Sequence, residues 1–111
     1  MDVKTQKFTN AEQAWLWAAK NPSHRSSHKA DAVRPCTPMN ILIVVDRLHR
    51  AGAISIDHLR VLRFYGHRQR APDEYCSHEQ RAATIWQEAM IKLEEALVRE
   101  GFVKRDGLYG I

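Results

Sequence analysis

The sequence predicts a mainly α-helical domain of four helices, with a small β-hairpin at its C-terminal end. Three observations lead to this fold class. Apolar residues recur at helical spacing in four segments, and a helix-capping residue precedes each segment. Near the end, Asp106-Gly107, the favoured centre of a tight hairpin turn, lies between β-forming residues. The length of 111 residues suits a single domain.

Capping residues and proline delimit the first two helices. Thr9-Asn10-Ala11-Glu12 has the form of a capping box and predicts a helix over about 11–20, which Asn21-Pro22 ends. Thr37-Pro38 begins the second helix, with threonine as N-cap and proline in the first turn, and Gly52 is expected to end it. The inward face of this helix is predicted to contain Met39, Ile41, Leu42, Val44, Val45 and Leu48.

The third and fourth helices are delimited in the same way. Ser55 caps a helix over about 56–65, which Gly66 is expected to end. A further capping box at 77–80 opens the longest helix, predicted over about 78–100. The inward residues of the third helix are predicted to be Ile56, Leu59, Val61 and Leu62. The stripe of the fourth, expected to be the main element of the core, is Ala82, Ile85, Trp86, Ala89, Met90, Leu93 and Leu97.

The predicted organisation is one domain, residues 1–111. It consists of an N-terminal helical arm (1–21), a polar and basic loop (22–35) and a core (38–111). The longest apolar run, residues 41–45, is far shorter than the roughly 18 residues of a membrane span. The first ten residues lack the apolar stretch of a secretory signal. We therefore expect a cytoplasmic protein that does not enter a membrane.

Charge is distributed unevenly along a chain whose formal net charge is +4. Residues 47–70 contain six arginines and one acid, Asp57, which gives +5. Residues 71–100 contain seven acids and three bases, which gives −4. A basic side favours a polyanionic partner because binding releases condensed counterions. The alternative is an ordinary solvated surface.

The order of elements, helix, short extended link, helix, turn, helix and hairpin, resembles a winged helix-turn-helix domain. Residues 53–59 (AISIDHL) are similar to the short strand and second helix of bacterial winged-helix regulators. Residues 91–105 (IKLEEALVREGFVKR) are similar to their third helix running into the wing. The resemblance covers roughly residues 38–111 and implies a small DNA-binding transcriptional regulator that acts as a homodimer on double-stranded DNA. The turn at about 66–77 is longer than in that pattern.

The resemblance also implies which residues would contact DNA. The first half of the last helix would present side chains that bond base edges or phosphates, namely Gln80, Arg81, Thr84 and Gln87. Basic side chains of the preceding helix, the turn and the wing would contact DNA phosphates. They are Arg60, Arg63, Arg68, Arg70, Lys104 and Arg105. Each could equally belong to a solvated face paired with the acidic half of the last helix.

Two other classes of function compete with a DNA-binding regulator. The first is a protein-interaction or adaptor module whose basic face binds an acidic partner. The second is an enzyme, which we do not expect, because the chain contains no nucleophile elbow, P-loop, zincin or dinucleotide fingerprint. We expect no cofactor and no small-molecule substrate. We also expect no metal: His24 and His28 have a possible ligand spacing, but Cys36 and Cys76 form no zinc-type cysteine pair.

Overall fold

A computed structural model describes residues 6–20 and 34–104, and within these ranges the chain is mainly helical, as predicted. The predicted hairpin turn at Asp106-Gly107 lies outside the described residues, as does most of the basic loop 22–35. The described helices are α1 (Ala11–Lys20), α2 (Pro38–Arg50), α3 (Ile56–Arg68) and α4 (Gln80–Glu100).

The centre of the fold is formed by α1 and α4, each of which contacts all three other helices. Four residues of α1 are buried: Ala11, Ala14, Trp15 and Ala18. Six residues of α4 are buried: Ala83, Trp86, Ala89, Leu93, Ala96 and Leu97. This confirms Trp86, Ala89, Leu93 and Leu97 as core residues of the longest helix, whereas Ala82, Ile85 and Met90 are half-buried at its edges.

The cap of α1 forms one residue later than the sequence predicts. Asn10 Oδ1 accepts a hydrogen bond from the Gln13 backbone N–H at 2.8 Å, and Gln13 Oε1 accepts one from the Thr9 N–H at 2.7 Å. The predicted partner in the box, Glu12, instead accepts a hydrogen bond from the Trp86 indole Nε1 at 3.2 Å. The capping box predicted from Thr9 to Glu12 is therefore wrong, because a tertiary contact occupies that carboxylate.

A second carboxylate joins α1 to α4. Glu94 Oε1 accepts a hydrogen bond from the Ala11 backbone N–H at 2.6 Å, which satisfies one of the free amides at the start of α1. Together with the bond between Glu12 and Trp86, this contact fixes the N-terminal end of α1 against α4. One acid of the negatively charged half of α4 thus has a structural partner.

The predicted N-terminus of α2 is confirmed, and so is the centre of its predicted inward face. Thr37 and Asn40 form a full capping box at the start of the helix. After the C-cap at Ala51, Gly52 adopts a left-handed conformation with φ of 82°, which a glycine accommodates without strain. Met39, predicted to face inward, is 45% exposed. Ile41, Val44 and Val45 are buried as predicted, together with Pro38, and Leu42 and Leu48 are half-buried.

Gly66 does not end α3, contrary to the prediction. The helix continues to Arg68, and Gln69 provides the left-handed C-cap with φ of 60°. Gly66 is buried where α1 crosses, and the Trp15 indole Nε1 there donates a hydrogen bond to the Leu62 carbonyl at 2.9 Å. The glycine is needed for this close approach rather than for a turn. Of the predicted inward residues, Ile56 is exposed, so that assignment is also wrong.

We predict that Gly66→Ala destabilises the fold. A Cβ at this position would lie 2.9 Å from Trp15 Nε1 and 3.0 Å from the Ala19 Cβ. Overpacking of this kind costs about 1–3 kcal/mol, which exceeds the gain of roughly 0.5–1 kcal/mol expected for alanine over glycine in a helix. Urea denaturation should therefore show a lower free energy of unfolding.

The control for this variant is a double-mutant cycle with Trp15→Phe, which removes the indole nitrogen that the new Cβ would meet. In the phenylalanine background Gly66→Ala should cost clearly less than in the native background. An equal or smaller cost in the native background would show that the close approach of α1 to α3 does not constrain this position.

The start of α4 also differs from the prediction. The helix begins at Gln80, and its N-cap residue Glu79 makes no side-chain cap bond. The capping box predicted from Ser77 is therefore absent, and residues 77–79 form turns instead. The Glu79 carboxylate is held by Arg70, so it does not cap the helix end either.

The segment after α4 returns to the start of the described chain. Phe8 and Val103 form a parallel β-bridge, in which the Phe8 N–H donates to the Phe102 carbonyl at 3.0 Å and the Lys104 N–H donates to the Phe8 carbonyl at 2.9 Å. Both Phe8 and Val103 are buried. The sequence assigned Phe102-Val103 to a hairpin, but among the described residues the partner of Val103 is Phe8.

Candidate nucleic-acid interface

The first half of α4 presents the four polar side chains that the sequence singled out. Gln80, Arg81, Thr84 and Gln87 are all exposed, and their spacing over the first turns of α4 places them on one side of the helix. The Thr84 hydroxyl donates to the Gln80 carbonyl at 3.2 Å, so its oxygen can still accept a hydrogen bond from outside. The structure brings these four residues together.

A groove of about 430 Å³ runs beside these side chains, between the N-terminal end of α3 and the first half of α4. Its walls are mixed in charge, with Asp57 and Glu88 as acids and Arg81 as a base. The full set of lining residues is Ser55, Asp57, His58, Arg81, Thr84, Ile85 and Glu88. Sequence reasoning assigned two of them, Arg81 and Thr84, to a functional surface and missed the α3 side.

His58 links the two walls of the groove. The Ser55 backbone N–H donates to His58 Nδ1 at 2.8 Å, so the ring proton resides on Nε2. That nitrogen lies 2.9 Å from Glu88 Oε1 and donates to it. The residues are thirty positions apart, so only the capping spacing from Ser55 to His58 was visible in the sequence.

The chain from Ser55 through His58 to Glu88 has the residue types of a hydrolytic triad, but its geometry is that of a helix cap. Ser55 Oγ lies 2.9 Å from His58 Nδ1 and accepts the His58 backbone N–H at 3.3 Å. The lone pair of Nδ1 is already occupied by the Ser55 backbone N–H. The histidine therefore has no free lone pair with which to accept the serine proton, and the hydroxyl is not activated as a nucleophile.

Arg70 has an internal partner. Its guanidinium makes two hydrogen bonds to the Glu79 carboxylate, at 3.2 and 3.3 Å, and Glu79 also accepts the Asp73 backbone N–H at 2.9 Å. The hydrogen bonds from Arg70 and then from Asp73 hold the pKa of Glu79 below its usual value. Burial first, and the Glu79 carboxylate second, raise the pKa of Tyr65. Arg70 thus joins the end of α3 to the start of α4 and is less suited to a phosphate contact than the sequence suggested.

The other basic residues of α3 are exposed. The Arg60 guanidinium is 3.9 Å from Asp57, a separation at which exposed pairs contribute little. The Arg68 guanidinium lies 4.6 Å from the centre of the Phe64 ring. In the described part of the chain, neither Arg63 nor Arg68 has an acidic partner within ion-pair distance, so their charges are available to a ligand.

The predicted contact residues fall into three separate places. Arg68 is the last residue of α3, two residues before Arg70, which bonds to Glu79 just ahead of α4. Arg60 and Arg63 lie farther back along the outside of α3. Lys104 follows the other end of α4, a 21-residue helix about 31 Å long. Arg105, the second predicted wing residue, lies outside the described residues.

The described residues show no metal centre. In residues 6–20 and 34–104, no three His, Cys, Asp or Glu side chains come together in a way that could hold an ion. His24 and His28 lie outside these ranges. Cys36 and Cys76 are free thiols, and burial raises the pKa of Cys36 to about 11, which keeps it protonated and unreactive at neutral pH.

None of the helices in the described ranges is long and apolar enough to cross a membrane. Comparison with known proteins adds no family to these observations. No family model matches the chain, and neither a curated protein nor a solved structure is detectably similar to it.

Proposed function

We propose that the chain is a small DNA-binding transcriptional regulator whose helix α4 enters the major groove with its N-terminal half. The observation that carries the proposal is the exposed set of side chains on that half, Gln80, Arg81, Thr84 and Gln87. Arginine recognises guanine through two hydrogen bonds, and glutamine recognises adenine in the same way. The set therefore has the chemistry of direct base readout on a helix that is otherwise anchored in the core.

The electrostatics near the start of α4 support this orientation. The N-terminal end of a helix carries a partial positive charge that favours phosphate. The acid at this end, Glu79, is paired with Arg70, and Arg68 nearby has no acidic partner in the described part of the chain. The four remaining acids of α4 begin at Glu88, two turns beyond Gln80. Three of them have partners: Glu88 with His58, Glu94 with the Ala11 N–H and Glu100 with Arg47.

The proposal predicts that Arg81→Ala weakens binding to a preferred duplex and reduces discrimination between sequences. The preferred duplex would first be selected from a random pool and then titrated by fluorescence anisotropy beside a scrambled duplex. A bidentate contact to a base is worth about 1–3 kcal/mol, so affinity for the selected duplex should fall by roughly 5- to 150-fold. Affinity for the scrambled duplex should fall much less.

The matched control is Arg99→Ala, which removes the same charge from the exposed end of the same helix. It should change both affinities by less than about threefold, as expected for a charge that contacts no base. Two outcomes would contradict readout by the first half of α4. One is an equal loss of affinity in the two variants, and the other is an unchanged affinity of Arg81→Ala for the selected duplex.

A second candidate is a protein-interaction module whose basic face binds an acidic partner. The specific observation in its favour is the outside of α3, where Ile56 and Phe64 are each 51% exposed among arginines. Exposed apolar side chains in a basic setting are more typical of a protein interface than of a phosphate contact. If no duplex binds while an acidic protein does, this candidate replaces the first.

A further inference from the structure

The groove between the start of α3 and the first half of α4 has the size of a small-molecule site. Its volume of about 430 Å³ lies within the range of roughly 300–1,000 Å³ that such sites occupy. The hydrogen bond of 2.9 Å between His58 Nε2 and Glu88 Oε1 joins its two walls. Because the walls come from different helices, no motif within one segment of the sequence predicts the groove.

Charges of opposite sign line the α4 wall of this groove without pairing to each other. Arg81, Ile85 and Glu88 follow one another in steps of four and three residues, so they lie on one side of the helix. Arg81 and Glu88 are about 10 Å apart along the helix axis. Within residues 6–20 and 34–104, Arg81 has no acidic partner at ion-pair distance. The wall thus offers a cation, the half-buried Ile85 and an anion in that order.

The two carboxylates of the groove remain accessible to an outside donor. Glu88 bonds to His58 through Oε1, yet its side chain is 60% exposed. The side chain of Asp57, on the α3 wall, is 58% exposed, and its contact with Arg60 at 3.9 Å is of a kind that contributes little. The groove therefore presents acceptors for an ammonium group as well as donors for a carboxylate.

This mixture of charges selects against ligands of a single charge. Asp57 and Glu88 repel a simple anion, and Arg81 repels a simple amine. A metal ion is not favoured either, because no three His, Cys, Asp or Glu side chains come together in the part of the chain that the structure describes. A carboxylate, by contrast, matches the planar guanidinium with two parallel hydrogen bonds, and an ammonium group donates to carboxylates.

We infer that the groove binds a small zwitterion with a carboxylate and an ammonium group, the chemistry of free amino acids and dipeptides. The carboxylate of the ligand bonds to Arg81, its ammonium group to Glu88 and Asp57, and its apolar part packs on Ile85. This binding does not depend on nucleic acid. A ligand bound in a chain that binds no duplex would support the inference and remove only the proposed function.

A regulatory consequence rests on the proposed function, in which Arg81 contacts a base. A ligand that occupies Arg81 competes with the duplex, and by linkage the duplex weakens the ligand equally. Duplex affinity should therefore fall about tenfold when the ligand is present at roughly ten times its Kd. An unchanged duplex affinity at that concentration would show that the two do not compete for Arg81.

Binding is tested by NMR on the isotope-labelled full chain, with pools of free amino acids and of dipeptides as the probes. A probe that fits should shift the backbone amide signals of Asp57, Thr84 and Ile85 and saturate with a Kd of about 1 mM or tighter. Its N-acetyl and C-amide derivatives each lack one charge, so each should bind at least about tenfold more weakly.

Arg81→Ala isolates the contact with the carboxylate of the probe. Arg81 is exposed, so the fold should persist without its side chain. In this variant the probe and its C-amide derivative should bind equally weakly. The matched control is Arg99→Ala, at the exposed far end of the same helix, which should bind both as the native chain does.

Four results would overturn the inference. The first is the absence of a saturable shift with every probe at about 1 mM, and the second is a set of shifts that lies outside the groove. The third is a singly charged derivative that binds as well as its parent. The fourth is an equal effect of Arg81→Ala and Arg99→Ala on the affinity for the probe.

Discussion

Trp86→Ala is expected to lower the free energy of unfolding by about 3–5 kcal/mol, the usual cost of removing a buried tryptophan. The side chain is 3% exposed, and its ring meets the Tyr65 ring edge to face with centres 6.2 Å apart. Its indole N–H donates to Glu12, so the substitution also removes a link between α4 and α1. Chemical denaturation followed by far-ultraviolet circular dichroism measures this loss.

The control for Trp86 is another aromatic residue that contributes little to the core. Tyr75 is 86% exposed in the segment between α3 and α4, and Tyr75→Ala should change the free energy of unfolding by less than about 0.5 kcal/mol. A loss below about 1 kcal/mol for Trp86→Ala, or equal losses for the two variants, would mean that α4 is not the central element of the core.

Local signals in the sequence were sufficient to place the four helices. The periodicity of apolar residues found the segments, and Thr37 and Ser55 were correctly identified as N-caps because such caps involve residues only three positions apart. Helix ends were less predictable where the competing partner is distant in sequence. The Glu12 carboxylate, a member of the box predicted from Thr9, accepts a hydrogen bond from Trp86 instead. The box predicted between Ser77 and Gln80 is absent because residues 77–79 form turns and α4 begins only at Gln80.

Gly66 shows a second limit of sequence reasoning. A glycine at the end of an amphipathic segment normally indicates a C-cap, and nothing near Gly66 in the sequence distinguishes it from Gly52, which does follow a helix end. The distinguishing feature is Trp15 on another helix, which requires a residue without a side chain at that point. Only the tertiary arrangement reveals such a requirement.

Only part of the candidate interface could be predicted, namely the part that depends on local helical periodicity. Exposure of Gln80, Arg81, Thr84 and Gln87 follows from the helical period of α4, which the sequence displays. The internal bonding of Arg70 to Glu79 could not be predicted, because it depends on the course of the chain between α3 and α4. The same holds for the bond between His58 and Glu88, which closes one side of the groove.

The salt dependence of duplex binding is expected to be steep. Residues 47–70 carry a net charge of +5, and on the surface proposed to face DNA neither Arg68 nor Arg81 has an acidic partner within ion-pair distance among the described residues. If about four to six basic side chains meet phosphates, affinity should fall by roughly 10²- to 10³-fold between 50 and 200 mM salt. Arg68→Ala should reduce the slope of log affinity against log salt by about 0.9, the value for one lost phosphate contact.

The most direct test of the central claim is therefore a titration of the purified chain with duplex DNA at salt concentrations from about 50 to 200 mM. The account predicts binding at the lowest concentration, a loss of roughly 10²- to 10³-fold across the range, and a shallower slope for Arg68→Ala. Absence of binding at the lowest salt concentration, or an affinity that does not change with salt, would contradict a nucleic-acid interface at the start of α4.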